Sequence, residues 1–350
     1  MAYTTVNKSS EHFTPESYTG SGSTQSITGL DFQPDWVWIK RRSSQRGHTV
    51  FDAVRGATYG VYPNETGAES VGATSLTAFT SDGFTLGTDD RVSGSGHTYA
   101  SWNWKGGGTA VSNTNGSTTT SVSANPTSGF SIVKYTGTGS VATLGHGLST
   151  APSTVFIKRL NVGDWIVGSN GMTSWNYVNS LNTQSAQADQ VNQFNGTAPT
   201  TSVVTLGTEG QTNQSGIGFI MYCFSDIRGF SKSGSYDGNG NADGPFIYTG
   251  FKPSFVMMKQ MNSSGQGWCM KTAKFNNAIN GNVNNYFLQA NQDNSENTST
   301  DSSFGIDMYS NGFKIKTADG IMNINAATYW YMAFAEAPLV GTNNVPANAR

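Results

Sequence analysis

Charge is what this sequence has least of. Lys, Arg, Asp and Glu together make up 12% of the 350 residues, 20 basic against 22 acidic, for a net charge of −2. An ordinary globular chain carries about twice that charged fraction. So few Lys and Arg cannot displace the counterions of a nucleic-acid backbone, and no nucleic-acid partner is expected. The one dense basic run, Lys40-Arg41-Arg42 with Arg46, follows a strand-like segment and reads as a solvated strand end. Cysteine is equally scarce. Cys223 and Cys269 are the only two, in the settings Tyr-Cys-Phe and Trp-Cys-Met. They read as small buried hydrophobes, with a single bridge between them as the alternative, so disulfides do not organise the fold. No run reaches the 18 apolar residues of a membrane span, and Met1–Lys8 lacks the apolar centre of a secretory signal. Synthesis in a reducing cytoplasm without membrane insertion is the expectation. No stretch of 11 or more residues sustains a 3.6-residue apolar period, so helices should be few and short.

What fills the chain instead is Ser, Thr, Asn and 42 Gly, with 19 Phe, 14 Tyr and 8 Trp to supply a core. Aromatics at this level with near-zero net charge exclude a disordered chain. Turn residues and β-forming surfaces point to an all-β protein.

The main organising feature is a threefold internal repeat. An aromatic turn recurs as Tyr18-Thr-Gly-Ser-Gly22, Tyr135-Thr-Gly-Thr-Gly139 and Tyr236-Asp-Gly-Asn-Gly240. A proline then opens an apolar run ending in lysine: Pro34-Asp-Trp-Val-Trp-Ile-Lys40, Pro152-Ser-Thr-Val-Phe-Ile-Lys158 and Pro253-Ser-Phe-Val-Met-Met-Lys259. An aromatic strand closes each copy at Tyr99–Trp104, Phe219–Phe224 and Tyr329–Phe334. Tyrosine to proline is 16, 17 and 17 residues, and proline to the closing strand 65, 67 and 76. Such units exceed solenoid or propeller repeats, so each should own a complete core. The proline runs barely alternate, which places both faces of that strand under cover, as in a two-sheet stack.

The expected architecture is therefore three tandem homologous antiparallel β-sandwich domains, jelly-roll or lectin-like in form. The first covers residues 1–107. Residues 108–126, almost wholly Gly, Ser, Thr, Val and Asn, read as a flexible linker. The second sandwich covers 127–228, the third 229–340, and 341–350 an extended tail. The linker would free the first unit to act as the attachment domain, while the short join at Ser225–Gly229 holds the other two in fixed orientation.

Catalytic patterns are missing. His12, His48, His97 and His146 are scattered, and there is no His-Glu-x-x-His, no Cys-x-x-Cys, no Gly-x-Ser-x-Gly and no Walker sequence. The many Gly-x-Gly pairs read as turns. Acidic side chains Glu65, Glu69, Asp82, Asp89 and Asp90 have little counterpart in the second unit, which offers Asp164, Asp189 and Glu209. A repeated carboxylate dyad is thus absent. No catalytic, cofactor or metal residues are assigned. Asp237-Gly-Asn-Gly-Asn-Ala-Asp243 has the early oxygen spacing of a calcium loop but places Ala242 at the position normally Gly, and Tyr248 where a bidentate acid belongs. An Asn/Gly turn is the preferred reading. Trp165, Trp175, Tyr177, Tyr59 and Tyr62 fall in less regular segments and are the candidates for stacking on glycan rings.

Several segments carry a family likeness: Gly29-Leu-Asp-Phe-Gln-Pro-Asp-Trp-Val-Trp-Ile-Lys-Arg41, Phe51-Asp-Ala-Val-Arg-Gly-Ala57, Ser81–Gly87, Ser225–Gly240, Phe246–Phe251, Tyr331–Pro338 and Asn348–Arg350. Through them nearly the whole chain resembles the repeat-built structural proteins of marine tailed bacteriophages, the tail-fibre or appendage group. The resemblance implies a non-enzymatic virion protein, without cofactor, that contacts other virion proteins and a host-surface glycan or receptor. It also implies a homo-oligomer, with a trimer favoured. Capsid decoration is the alternative location, and a glycan-depolymerising tailspike the alternative activity.

Overall fold

A computed structural model describes residues 3–275, 283–298, 302–338 and 340. The chain is all-β and of sandwich architecture: 44% of it is strand and 5% helix, so the helices only punctuate turns. Every pairing between named strands is antiparallel. The expected tail, 341–350, lies outside the described residues.

One strand order occurs three times. In the first unit the opening strand Phe13–Thr19 pairs with the closing strand Thr98–Trp104. That strand pairs with the proline-led strand Trp36–Arg41, followed by Thr49–Asp52 and Gly56–Val61. The second unit repeats this with Phe130–Thr136, Gly218–Phe224, Thr154–Arg159, Trp165–Ser169 and Tyr177–Ser180. The third has Ser231–Asp237, Thr328–Pro338, Phe251–Gln260, Cys269–Thr272 and Leu288–Gln289. A smaller antiparallel sheet accompanies each, built on Gln25–Ile27, Ala142–Gly145 and Phe246–Tyr248.

The unbroken apolar character of the proline-led strands has a direct cause. Side chains alternate across a strand, and in the first two units each face meets a different core. Trp36 and Trp38 enter a large common cluster, whereas Val37 and Ile39 pack towards the small sheet with Phe84 and Leu86. In the second unit Phe156 enters the common cluster, and Val155 and Ile157 a local one with Val204 and Leu206. In the third unit Val256 and Met257 both belong to the common cluster.

That common cluster corrects the expectation of self-contained cores. Trp104, Phe224 and Phe334, from the three closing strands, all belong to it. The linker expectation fails too. Residues 108–126 contain the strands Val111–Asn113 and Thr120–Asn125, and the latter pairs with Phe130–Thr136 in the second unit's sheet. Val122 is buried there and Ser123 Oγ accepts from Gly107 N. A Thr/Ser/Val alternation is as good an edge strand as it is a linker, and pairing to an existing sheet decides between them.

The units are joined in a cycle. Trp165 Nε1 of the second donates to Tyr62 O of the first (2.9 Å), Trp268 Nε1 of the third to Ser180 O of the second (3.2 Å), and His48 Nε2 of the first contacts Gln289 O of the third at 2.9 Å. These three donors occupy equivalent places, just before or at the start of the strand that follows the proline-led strand in each sheet. A second cycle runs beside it: Tyr222 Oη donates to Asp52 Oδ2 (2.8 Å), Trp330 Nε1 to Ser169 Oγ (2.8 Å) and Trp102 Nε1 to Thr272 Oγ1 (2.9 Å). Two backbone bonds complete each seam. Gly163 N and Glu69 N donate to Thr66 O and Leu160 O, Gly265 N and Gln187 N to Gln184 O and Met261 O, and Arg46 N and Glu296 N to Asp293 O and Arg42 O. Each interface is head-to-tail, and three such contacts close into a ring within one chain.

Candidate functional site

The glycan-contact candidates are for the most part structural. Trp165 is 1% exposed because its ring lies in the common core and its indole N–H holds the first seam. Trp175 is 7% exposed, edge-on to Phe194, with Nε1 bonded to Asn170 Oδ1. Neither can stack on a ligand. Tyr177 is half-buried on its strand, and Tyr62 is half-buried beneath the Arg91 guanidinium at 4.5 Å. Only Tyr59, 37% exposed, sits at the surface. The apolar surface that sequence reasoning missed is Phe246 and Tyr248, 46% and 51% exposed, which flank buried Ile247 on an edge strand of the third unit. Their period-two spacing was the available signal.

The Asp237–Asp243 segment is a turn whose oxygens are already engaged. Asn239 Oδ1 accepts from Asn241 N and Asn323 Nδ2, Asn241 Oδ1 accepts from Asp243 N, and Asp243 pairs with Lys314. The hydrogen bond from Lys314 also holds the Asp243 carboxyl below its usual range. Among the described residues no three His, Cys, Asp or Glu side chains assemble a metal cluster. Cys223 and Cys269 are both free and buried, and burial pushes their thiols up to about 12 and about 11.

The basic run is not solvated either. Lys40 is wholly buried and Arg41 nearly so. Lys40 Nζ donates to Arg41 O (2.6 Å) and to Asp293 O across the seam (3.4 Å), and Lys158 Nζ to Gly163 O (2.7 Å) and to Thr66 O across its own seam (3.3 Å). Burial pulls Lys40 down to about 7 and Lys158 and Lys259 to about 8. The lysines that end the first two proline-led runs are therefore seam residues, while Lys259 Nζ donates to Gln260 O within its own unit. Beside it, the first seam buries an ionic cluster in which Arg55 Nε bonds Asp52 Oδ2 at 2.5 Å and Arg55 Nη1 reaches Glu69 at 3.0 Å.

The second unit carries an open, polar concavity. A cavity of about 420 Å³ in the second unit is lined by Asp164, Asp189, Glu209, Gln190, Gln193 and Gln211 among others. Gln193 is 1% exposed, and its Oε1 has no hydrogen-bond partner among the described residues. Glu209 caps the four-residue helix Gly210–Asn213, with Oε1 accepting from Gly210 N. Asp164 Oδ1 accepts from Asn182 Nδ2, and Gln211 Oε1 from Asp164 N. The lining supplies carboxylate and amide groups in close array, with no Lys or Arg, so it can hydrogen-bond a neutral ligand but would repel an anion.

These features define an all-β protein of sandwich architecture whose repeated sheets close around one core. The chain belongs to the DUF7483 family, described as a domain of unknown function, and that family's model matches residues 8–338, spanning all three units. No curated protein matches the chain.

Proposed function

We propose that the protein is a non-enzymatic structural component of a tailed-bacteriophage virion, a tail-fibre or appendage subunit that contacts other virion proteins and host-surface glycan. Besides the sequence resemblance, one observation carries this reading: the repeats agree inside and differ outside. The rings of the closing strands meet in the common core, while the outer edge strands diverge. Ser26 and Thr28 flank Ile27, Thr143 and Gly145 flank Leu144, but Phe246 and Tyr248 flank Ile247 at the same register. A scaffold with three varied outer faces suits adhesion, where a fixed frame presents different contact chemistry. Multicopy docking on the particle belongs to the same reading, with a homotrimer as the expected assembly.

Imaging intact particles with the protein labelled tests the assignment, and label at the tail is the expected result. Absence of label from every particle would remove it. Incubation of the pure protein with host polysaccharide should release no reducing ends. Their release would replace the structural role with a depolymerase.

A further inference from the structure

The first unit explains what is unusual about the cavity in the second. Asp89 caps the helix Asp90–Ser93 as Glu209 caps Gly210–Asn213. Asp89 N bonds Thr74 O and Gly87 N bonds Ser75 O, just as Glu209 N bonds Asn192 O and Gly207 N bonds Gln193 O. Ser75 N bonds Gly72 O, as Gln193 N bonds Gln190 O. Gln190 and Gln193 thus replace Gly72 and Ser75, and Gln211 replaces Arg91. In the first unit the place is taken: the Arg91 guanidinium reaches Glu65 at 3.3 Å over the Tyr62 ring, and the Ser75 hydroxyl is satisfied by Asp89. In the second unit Gln211 is shorter and turned to Asp164 N, which leaves an open space and a buried amide oxygen without a partner.

We propose that this cavity is a binding site for a neutral sugar residue, an inference that rests on the glycan-contact reading above and gives it a place. The volume lies in the range of small-molecule sites, roughly 300–1,000 Å³. What the site needs is hydroxyl donors. Two of its three carboxylates already accept from protein N–H groups, and the Gln193 oxygen lacks a donor. Sugar hydroxyls both donate and accept, which matches mixed carboxylates and amides. Val191, 42% exposed on the rim, offers an apolar contact for the C–H face of a ring. The absence of Lys and Arg from the lining argues against sulfated, phosphorylated or uronic sugars.

The test uses the full chain in saturation-transfer NMR and titration calorimetry, against glucose, galactose, mannose and N-acetylglucosamine, with spermidine and inorganic phosphate as charged probes. At least one neutral sugar should bind. Gln211→Arg imports the first unit's residue, so it should fill the cavity and weaken that binding by about tenfold or more at an unchanged melting temperature. Gln193→Ala serves as the second variant, and loses binding by removing the unpartnered oxygen. Three results overturn the site: no sugar binding, binding indifferent to both variants, or binding of spermidine alone. Particle labelling is read separately, so sugar binding without particle label sinks the virion reading and leaves the site standing, and the reverse outcome does the opposite.

Discussion

Trp104 and Phe334 lie 230 residues apart in the chain and meet edge to face, 5.4 Å between ring centroids. Phe224 completes the set, 6.3 Å from Trp104 and 5.9 Å from Phe334. The three occupy one register position on the three closing strands, opposite Trp36, Thr154 and Phe255. At this point all three repeats meet in the common core.

Trp104→Ala should therefore lower the stability of the whole molecule, by about 3–5 kcal/mol for an emptied buried tryptophan site. Scanning calorimetry should show one cooperative transition shifted downward. Separate transitions with only the earliest affected would mean that the units fold independently.

His48 links pH to the seam between the first and third units. Its Nδ1 accepts from Trp38 Nε1 at 2.8 Å, its Nε2 lies against Gln289 O, and burial, with the nearby Lys40 charge, holds it well below the usual histidine value. Protonation would set two N–H groups against each other. A base whose folded value is depressed contributes stability that is present above its unfolded value of about 6.5 and lost as pH falls. Burial shifts His12 and His146 the same way. Chemical denaturation between pH 7 and 5 should show falling stability, and His48→Asn should flatten that slope by up to about 1.4 kcal/mol per pH unit. Equal slopes in both proteins would rule His48 out.

The buried lysines act in a higher window. Their folded values of about 7 to 8 lie below the ordinary 10.5, so stability should increase as pH rises from 7.5 to 9. Above that, the raised thiols of Cys223 and Cys269 work in the opposite direction. Lys40→Met should reduce the gain, measured as melting temperature across that interval.

Arg55 balances Asp52 in the first seam. Arg55→Met leaves the buried carboxylate without a cation, held by the Tyr222 hydroxyl and the backbone N–H groups of residues 54 and 55, and should cost about 3–5 kcal/mol. Adding Asp52→Asn should restore part of the loss in urea denaturation. A double variant no better than the single would show that packing, rather than the unpaired charge, dominates.

Gly171 abuts the Gly234 carbonyl, where the second unit meets the third. A Cβ there would strike backbone, so Gly171→Ala should destabilise this seam. Faster amide exchange at Gln187 and Gly265, which donate across it, is the readout.

Local patterns in the chain determined the strand class, the threefold repeat and the buried character of the proline-led strands, because alternation, turn glycines and repeat spacing act over a few residues. Trp36 and Trp38 were legible as core, although which core they enter was not. Tertiary structure alone decided that the repeats share a centre, that Lys40 and Trp165 hold seams rather than face solvent, and that 111–125 adds two strands to the second unit's sheet. It also decided that Gln193 lines a cavity. Whether a Thr/Val segment pairs depends on the sheet edge it meets, and whether the Trp165 or Trp268 indole N–H meets a carbonyl depends on a partner in another repeat, which only the closed ring supplies.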